Sequence, residues 1–175
     1  MEKQLKVTVY GHSEKVKDTA AMTERLLTAH ERLDSATVCE IAAHLFTARE
    51  ERAEVARRLI QVAGEPDELR AQLAVDILGL LGMALESDYS DQLVTSAKSR
   101  FTPEALCNLA NDEKHRQEMP RPRPTMSQGL RLLRSVIGMA SRKGGVKASE
   151  FLSGIEAKVA DTALAALVAK WKSRD

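Results

Sequence analysis

The run Leu69-Arg-Ala-Gln-Leu-Ala-Val-Asp-Ile-Leu-Gly-Leu-Leu-Gly-Met-Ala-Leu85 is the most apolar stretch of the chain, and past Leu73 apolar or small residues go nearly all the way round a helix. Such a helix is buried. A membrane span needs roughly 20 apolar residues with few charges, whereas Asp76 interrupts this run and Arg70 and Glu86 bracket it. The reading is therefore a core helix. Ala74, Gly79 and Gly82 thin its surface, which is expected to let neighbouring helices approach closely. Gly64 can close the preceding helix, and Pro66 with Asp67 and Glu68 can open this one.

Working upstream, Thr37 and Glu40 have the spacing of a capping box, and a helix is expected from there to Gly64. Its seam is Ile41, Leu45, Ala48, Arg52, Val55, Leu59 and Val62, spaced alternately four and three. The stretch can also be divided as a helix-turn-helix with Arg49 to Arg58 as the reading helix. Phe46-Thr47-Ala48 contains no glycine, however, and the seam runs through it, so one long helix is expected. Folded back on the apolar helix as a hairpin over residues 37–86, it sets Arg52 opposite Asp76. Each is the charge that interrupts its own apolar stripe, and a structural ion pair between them is predicted to fix the register.

The remaining helices follow from caps and periodicity. Ser13 opens one that runs to about Leu33, with Leu26, Leu27 and Leu33 on its apolar side. After a loop at Ser87 to Asp91, Ser90 caps a short helix over Gln92 to Lys98, and Thr102-Pro103-Glu104 starts another to about Gln117. Met119-Pro120-Arg121-Pro122-Arg123-Pro124 forbids helix and reads as an extended strut. Beyond it, Thr125 or Ser127 opens a helix that stops near Gly144-Gly145, and Ser149 caps a last helix to the C-terminus. The fold class is all-α, a multi-helix bundle of about six to seven helices. One short N-terminal strand is indicated by the alternation of Leu5, Val7 and Val9. The expected organisation is a bundle over residues 1–118, a linker over 119–125 and a two-helix appendage over 126–175 that packs on the bundle or on a partner. The low aromatic content, 3%, agrees with a helical core of Ala, Leu, Val, Ile and Met.

Cys39 and Cys107 each lie in an apolar helical pattern and are expected to be buried, reduced thiols. The N-terminus carries no signal-peptide pattern, so a cytoplasmic location is expected. His12, His30, His44 and His115 have no spacing that makes a metal set, and no Ser/His/Asp or Cys/His arrangement is visible. No enzymatic activity, metal or cofactor is expected.

Two resemblances bear on function. A strand followed by helices resembles the ribbon-helix-helix DNA-binding proteins, in which Lys6, Thr8 and Tyr10 would enter the major groove; the long next helix and the acidic local charge depart from that pattern. Arg142-Lys143-Gly144-Gly145-Val146-Lys147 resembles the phosphate loop of partition-type ATPases, which would imply nucleotide binding. Here the glycine before Lys147 is absent, Ala148 stands where the magnesium-binding hydroxyl belongs, and the preceding run has helical periodicity. The segment is read as a helix terminus and a basic turn.

Charge supplies the strongest functional signal. Residues 1–95 carry 11 basic and 17 acidic side chains, while residues 96–147 carry 11 and 4. The basic block offers Arg100, Arg116, Arg121, Arg123, Arg131, Arg134, Arg142, Lys143 and Lys147 as contacts for phosphate or an acidic partner. The favoured expectation is a non-enzymatic helical interaction module, an adaptor, chaperone or assembly subunit that uses complementary acidic and basic surfaces and binds a protein partner or itself. The alternative is a nucleic-acid-associated protein that grips the phosphate backbone through residues 98–147.

Overall fold

In a computed structural model the described residues are 12–82 and 87–173. They form nine α-helices and a 3-10 turn at Lys98–Arg100, with no strand among them: α1 (His12–Glu31), α2 (Ser35–Thr47), α3 (Arg49–Ala63), α4 (Glu68–Leu80), α5 (Ser87–Ala97), the turn Lys98–Arg100, α6 (Pro103–Glu118), α7 (Gln128–Lys143), α8 (Val146–Val159) and α9 (Ala165–Lys172). The all-α class is as expected. The strand read at Leu5 to Val9 lies outside the described residues. No helix among the described residues is long and apolar enough to cross a membrane.

The two extra helices come from breaks in two expected ones. Of the seam, Ile41, Leu45, Val55, Leu59 and Val62 are buried while Ala48 and Arg52 are half-buried, and the helix is interrupted at Ala48, where ψ turns to 79° and the amide still bonds His44 O at 3.1 Å. Side chains hold the break. Arg52 Nη1 donates to the freed Phe46 carbonyl at 3.0 Å, and His44 Nε2 lies 2.6 Å from a Glu51 carboxylate oxygen across it. The second break follows α8, where Asp161 adopts a left-handed φ of 63° and Thr162 folds its hydroxyl back onto Val159 O. It shifts the apolar stripe, so Leu164, Val168 and Trp171 are buried while Ala166 is exposed.

Several local expectations need correction. Asp34, rather than Thr37, is the α2 N-cap, accepting from Thr37 N at 3.1 Å and Thr37 Oγ1 at 2.6 Å; those bonds hold its carboxyl below the usual range. Asp67 caps α4 by accepting from Leu69 N and Arg70 N, so Pro66 lies just before the helix. The stretch Ser87 to Asp91 is the first turn of α5, not a loop. Cys39 and Cys107 are exposed, because each stands next to, and not on, the stripes Val38-Ile41-Leu45 and Leu106-Ala110-Glu113. Leu33 lies beyond the end of α1, 84% exposed. A Cβ on Gly79 or Gly82 would meet no atom within 4 Å, so neither marks a close approach.

The chain divides into two compact units, Met1–Leu59 and Ile60–Asp175. In the first, α1 packs on α2, and Leu26 and Leu27 of α1 and Ile41 and Leu45 of α2 are buried. In the second, α7 is the central helix and packs against α4, α5, α8 and α9. Leu130, Leu132, Leu133, Val136, Ile137, Met139 and Ala140 are all buried, and their spacing covers about half the helix surface. The helix that follows the proline strut thus belongs to the core that contains α4 and α5, and the compact units do not divide at Met119 to Pro124. The apolar helix α4 is buried on nearly every side from Ala71 to Leu78. Its one internal charge, Asp76, accepts from Ser135 Oγ of α7 at 2.7 Å and from Gln72 Nε2 at 3.1 Å.

The join of α7 to α8 depends on a carboxylate from a third helix. Gly145, at the N-cap of α8, has no side chain to cap it, and Asp91 Oδ1 of α5 accepts from Gly145 N at 3.0 Å and Ala148 N at 2.9 Å. A Cβ on Gly145 would lie 2.5 Å from Asp91 Oδ2, and one on Gly144 would lie 2.2 Å from Ala140 O. Close approach of backbone therefore requires glycine at 144, and a side chain at 145 would displace the capping carboxylate of Asp91.

Two stability predictions follow from these caps. Asp91→Ala leaves the α8 amides without their acceptor and should lower unfolding stability by about 1–2 kcal/mol in urea denaturation; an unchanged midpoint would contradict the cap. Leu33 holds φ 57° with its side chain in solvent. Leu33→Gly should therefore raise stability by about 0.5–1 kcal/mol, read in the same assay, since it relieves left-handed strain and loses no packing.

Candidate functional site

The basic block separates into engaged and unengaged groups. Arg116 is engaged: its guanidinium grips Glu113 through two bonds, Nε to Oε2 at 2.7 Å and Nη2 to Oε1 at 2.9 Å. Glu113 is itself buried on α6, with Gln117 Nε2 at 2.9 Å as a third donor. Burial pushes the Glu113 carboxyl up, but the bonds from Arg116 and Gln117, with the charges of Arg116 and Arg123, outweigh it and hold the group below its ordinary value of 4.5. The same pairing holds the Arg116 cation more firmly. Arg100 is engaged as well, its Nε donating to Ala63 O at 3.0 Å. Burial makes that guanidinium less basic, while the charges of Glu68, Asp67 and Glu65 favour the cation.

Arg131, Arg134 and Arg142 form the unengaged group. All three are exposed on α7 and carry no side-chain hydrogen bond or ion pair among the described residues. Their spacing of three and eight residues places them in one stripe, opposite the buried arc from Leu130 to Ala140. The stripe is about 16 Å long at the rise of an α-helix. Gly138 lies within it, with open space where a side chain would stand. Arg121 and Arg123 are exposed in the strut that precedes α7. Lys147 is exposed on α8, away from the stripe, and borders a groove with Lys98 and Lys158.

The turn that resembles a phosphate loop has its anion position filled from within. Backbone amides at a helix N-terminus attract phosphate, and at α8 those amides already serve the carboxylate of Asp91. Among the described residues no three His, Cys, Asp or Glu side chains come together as metal ligands. His44 pairs with Glu51, its Nε2 lying 2.6 Å from a carboxylate oxygen.

Arg52 and Asp76 fall in different compact units, and the partners described above are Phe46 O for Arg52 and Gln72 and Ser135 for Asp76. Sequence reasoning missed the Asp91 cap and the Glu113–Arg116 pair. The second was within reach, since an i, i+3 carboxylate and guanidinium on a capped helix is a readable signal.

No protein-family model, curated protein or solved structure matches the chain. The geometry of its own residues carries the functional reading.

The Glu113 pair makes a pH prediction. Because the folded carboxyl titrates below its unfolded value, its contribution is present at neutral pH and is lost as pH falls from about 4.5 downward. Glu113→Gln should lower stability at pH 7 by about 1–3 kcal/mol and flatten the acid limb of a stability-versus-pH curve. An acid limb identical to that of the unaltered chain would contradict the assignment.

Proposed function

We propose that the chain is a non-enzymatic helical interaction module and that the arginine stripe of α7 is the face through which it holds an acidic partner. One observation carries this reading: Arg131, Arg134 and Arg142 are exposed and unengaged among the described residues, whereas Arg116 already has its carboxylate. Guanidinium groups present paired donors to carboxylates or phosphates, and on a packed helix their backbone is already ordered, so that only the side chains lose freedom on binding. The chain itself carries the opposite charge, since residues 1–95 hold 17 acidic side chains against 11 basic. A second copy is therefore one partner of the required charge.

The same stripe favours a second reading, a nucleic-acid backbone, because unpaired guanidiniums on an exposed helix also suit phosphate contacts that read no bases. Sedimentation velocity of the chain alone, beside fluorescence anisotropy with labelled single- and double-stranded DNA and RNA over a salt series, separates the two. Salt-sensitive self-association that the triple variant Arg131→Ala, Arg134→Ala, Arg142→Ala abolishes supports protein docking. Micromolar nucleic-acid binding supports the second reading if the same variant reduces the slope of log K against log salt by about 3. Neither behaviour at low salt removes the stripe as a docking face.

A further inference from the structure

A second feature, independent of the α7 stripe, lies between the end of α5 and the outer side of α8. Val94 and Thr95, the Lys98 turn and Phe101 form one wall of a groove of about 380 Å³, and α8 forms the other. That volume falls within the range of small-molecule sites. The α8 residues that line it are Lys147, Glu150, Phe151, Gly154, Ile155 and Lys158. The floor is apolar: the rings of Phe101 and Phe151 lie 6.0 Å apart at 58°, and Ile155 is buried beside them.

Two details mark the groove as more than a seam between helices. Gly154 sits in the middle of α8, where glycine costs about 1 kcal/mol of helix stability relative to alanine, and a Cβ there would meet nothing within 4 Å. The position lowers helix propensity without serving any close approach of chain to chain, and it leaves the floor open. The rim is also charged in one sense. Lys98, Lys147 and Lys158 are exposed and unpaired among the described residues, and Glu150 is the one carboxylate in the lining.

We infer that this groove binds a small amphipathic carboxylate, with an aryl or acyl body lying over Gly154 against Phe151 and Ile155. Its acid group is held at the rim by the lysine ammonium groups. The chemistry follows from the lining: hydrocarbon is buried by the phenyl and isoleucine surface, and an excess of ammonium groups favours an anion over a cation. The site uses none of the α7 arginines.

Anilinonaphthalene sulfonate, an aryl anion that fluoresces on leaving water, is the probe, with octanoate as a competing carboxylate. Titration of the full chain should give saturable one-to-one binding that octanoate displaces. Lys98→Gln with Lys147→Gln and Lys158→Gln changes only exposed side chains and should weaken binding at least tenfold. Gly154→Leu should abolish it by filling the floor, with circular dichroism unchanged or more helical. The Arg131→Ala, Arg134→Ala, Arg142→Ala variant should bind the probe as the unaltered chain does, so failure of the docking proposal and failure of this one are distinguishable. Multiple weak sites, binding unaffected by the lysine substitutions, or equal binding of a naphthyl ammonium ion would each overturn the inference.

Discussion

The burial of one face of α7 is the constraint on which the unit from Ile60 onward depends. Seven side chains between Leu130 and Ala140 leave water together, and four other helices take their places against them. At roughly 25 cal/mol for each square ångström of apolar surface removed from water, a face of this kind outweighs any single polar contact in the unit. The polar contacts act on geometry instead. Ser135 to Asp76 sets α4 against α7, and Asp91 fixes where α8 begins.

That arrangement explains why the basic groups divide as they do. A helix buried along half of its surface leaves the other half for solvent, and on α7 that half carries Arg131, Arg134 and Arg142. Arginines outside α7 are used differently: Arg116 of α6 closes over a buried carboxylate, and Arg100 of the 3-10 turn satisfies the last turn of α3. The proposed docking face is thus the outer side of the helix whose inner side organises the unit, so the arginines stand on a support held by packing.

Much of the architecture was legible in the sequence because it rests on local chemistry. The caps at Thr102 and Ser127, the start of α6 at Pro103 and the stop near Gly144 all depend on a few consecutive residues. The seam Ile41 to Val62 was readable from spacing alone. What escaped was non-local or conformational. The break at Ala48 follows no glycine or proline and is held by Arg52 reaching back to Phe46 O. The left-handed Leu33 carries no sequence mark of its own, since leucine rarely adopts positive φ. Asp91 caps a helix 54 residues further along, which no periodicity can reveal. Of the candidate site, the sequence identified the charged residues but not their division, because an arginine in a carboxylate's grip and one in solvent read alike.

The central claim is that the helices on both sides of the proline strut form one core around α7. Native-state hydrogen exchange on the full chain carrying Ile137→Val, a loss of one buried methyl group worth about 0.5–1.5 kcal/mol, tests it most directly. A single core predicts that the most protected amides of α4, α5, α8 and α9 lose protection together by a similar free energy. If α8 and α9 lost protection while α4 and α5 kept theirs, the segment after the strut would be an independent appendage and the account would be contradicted.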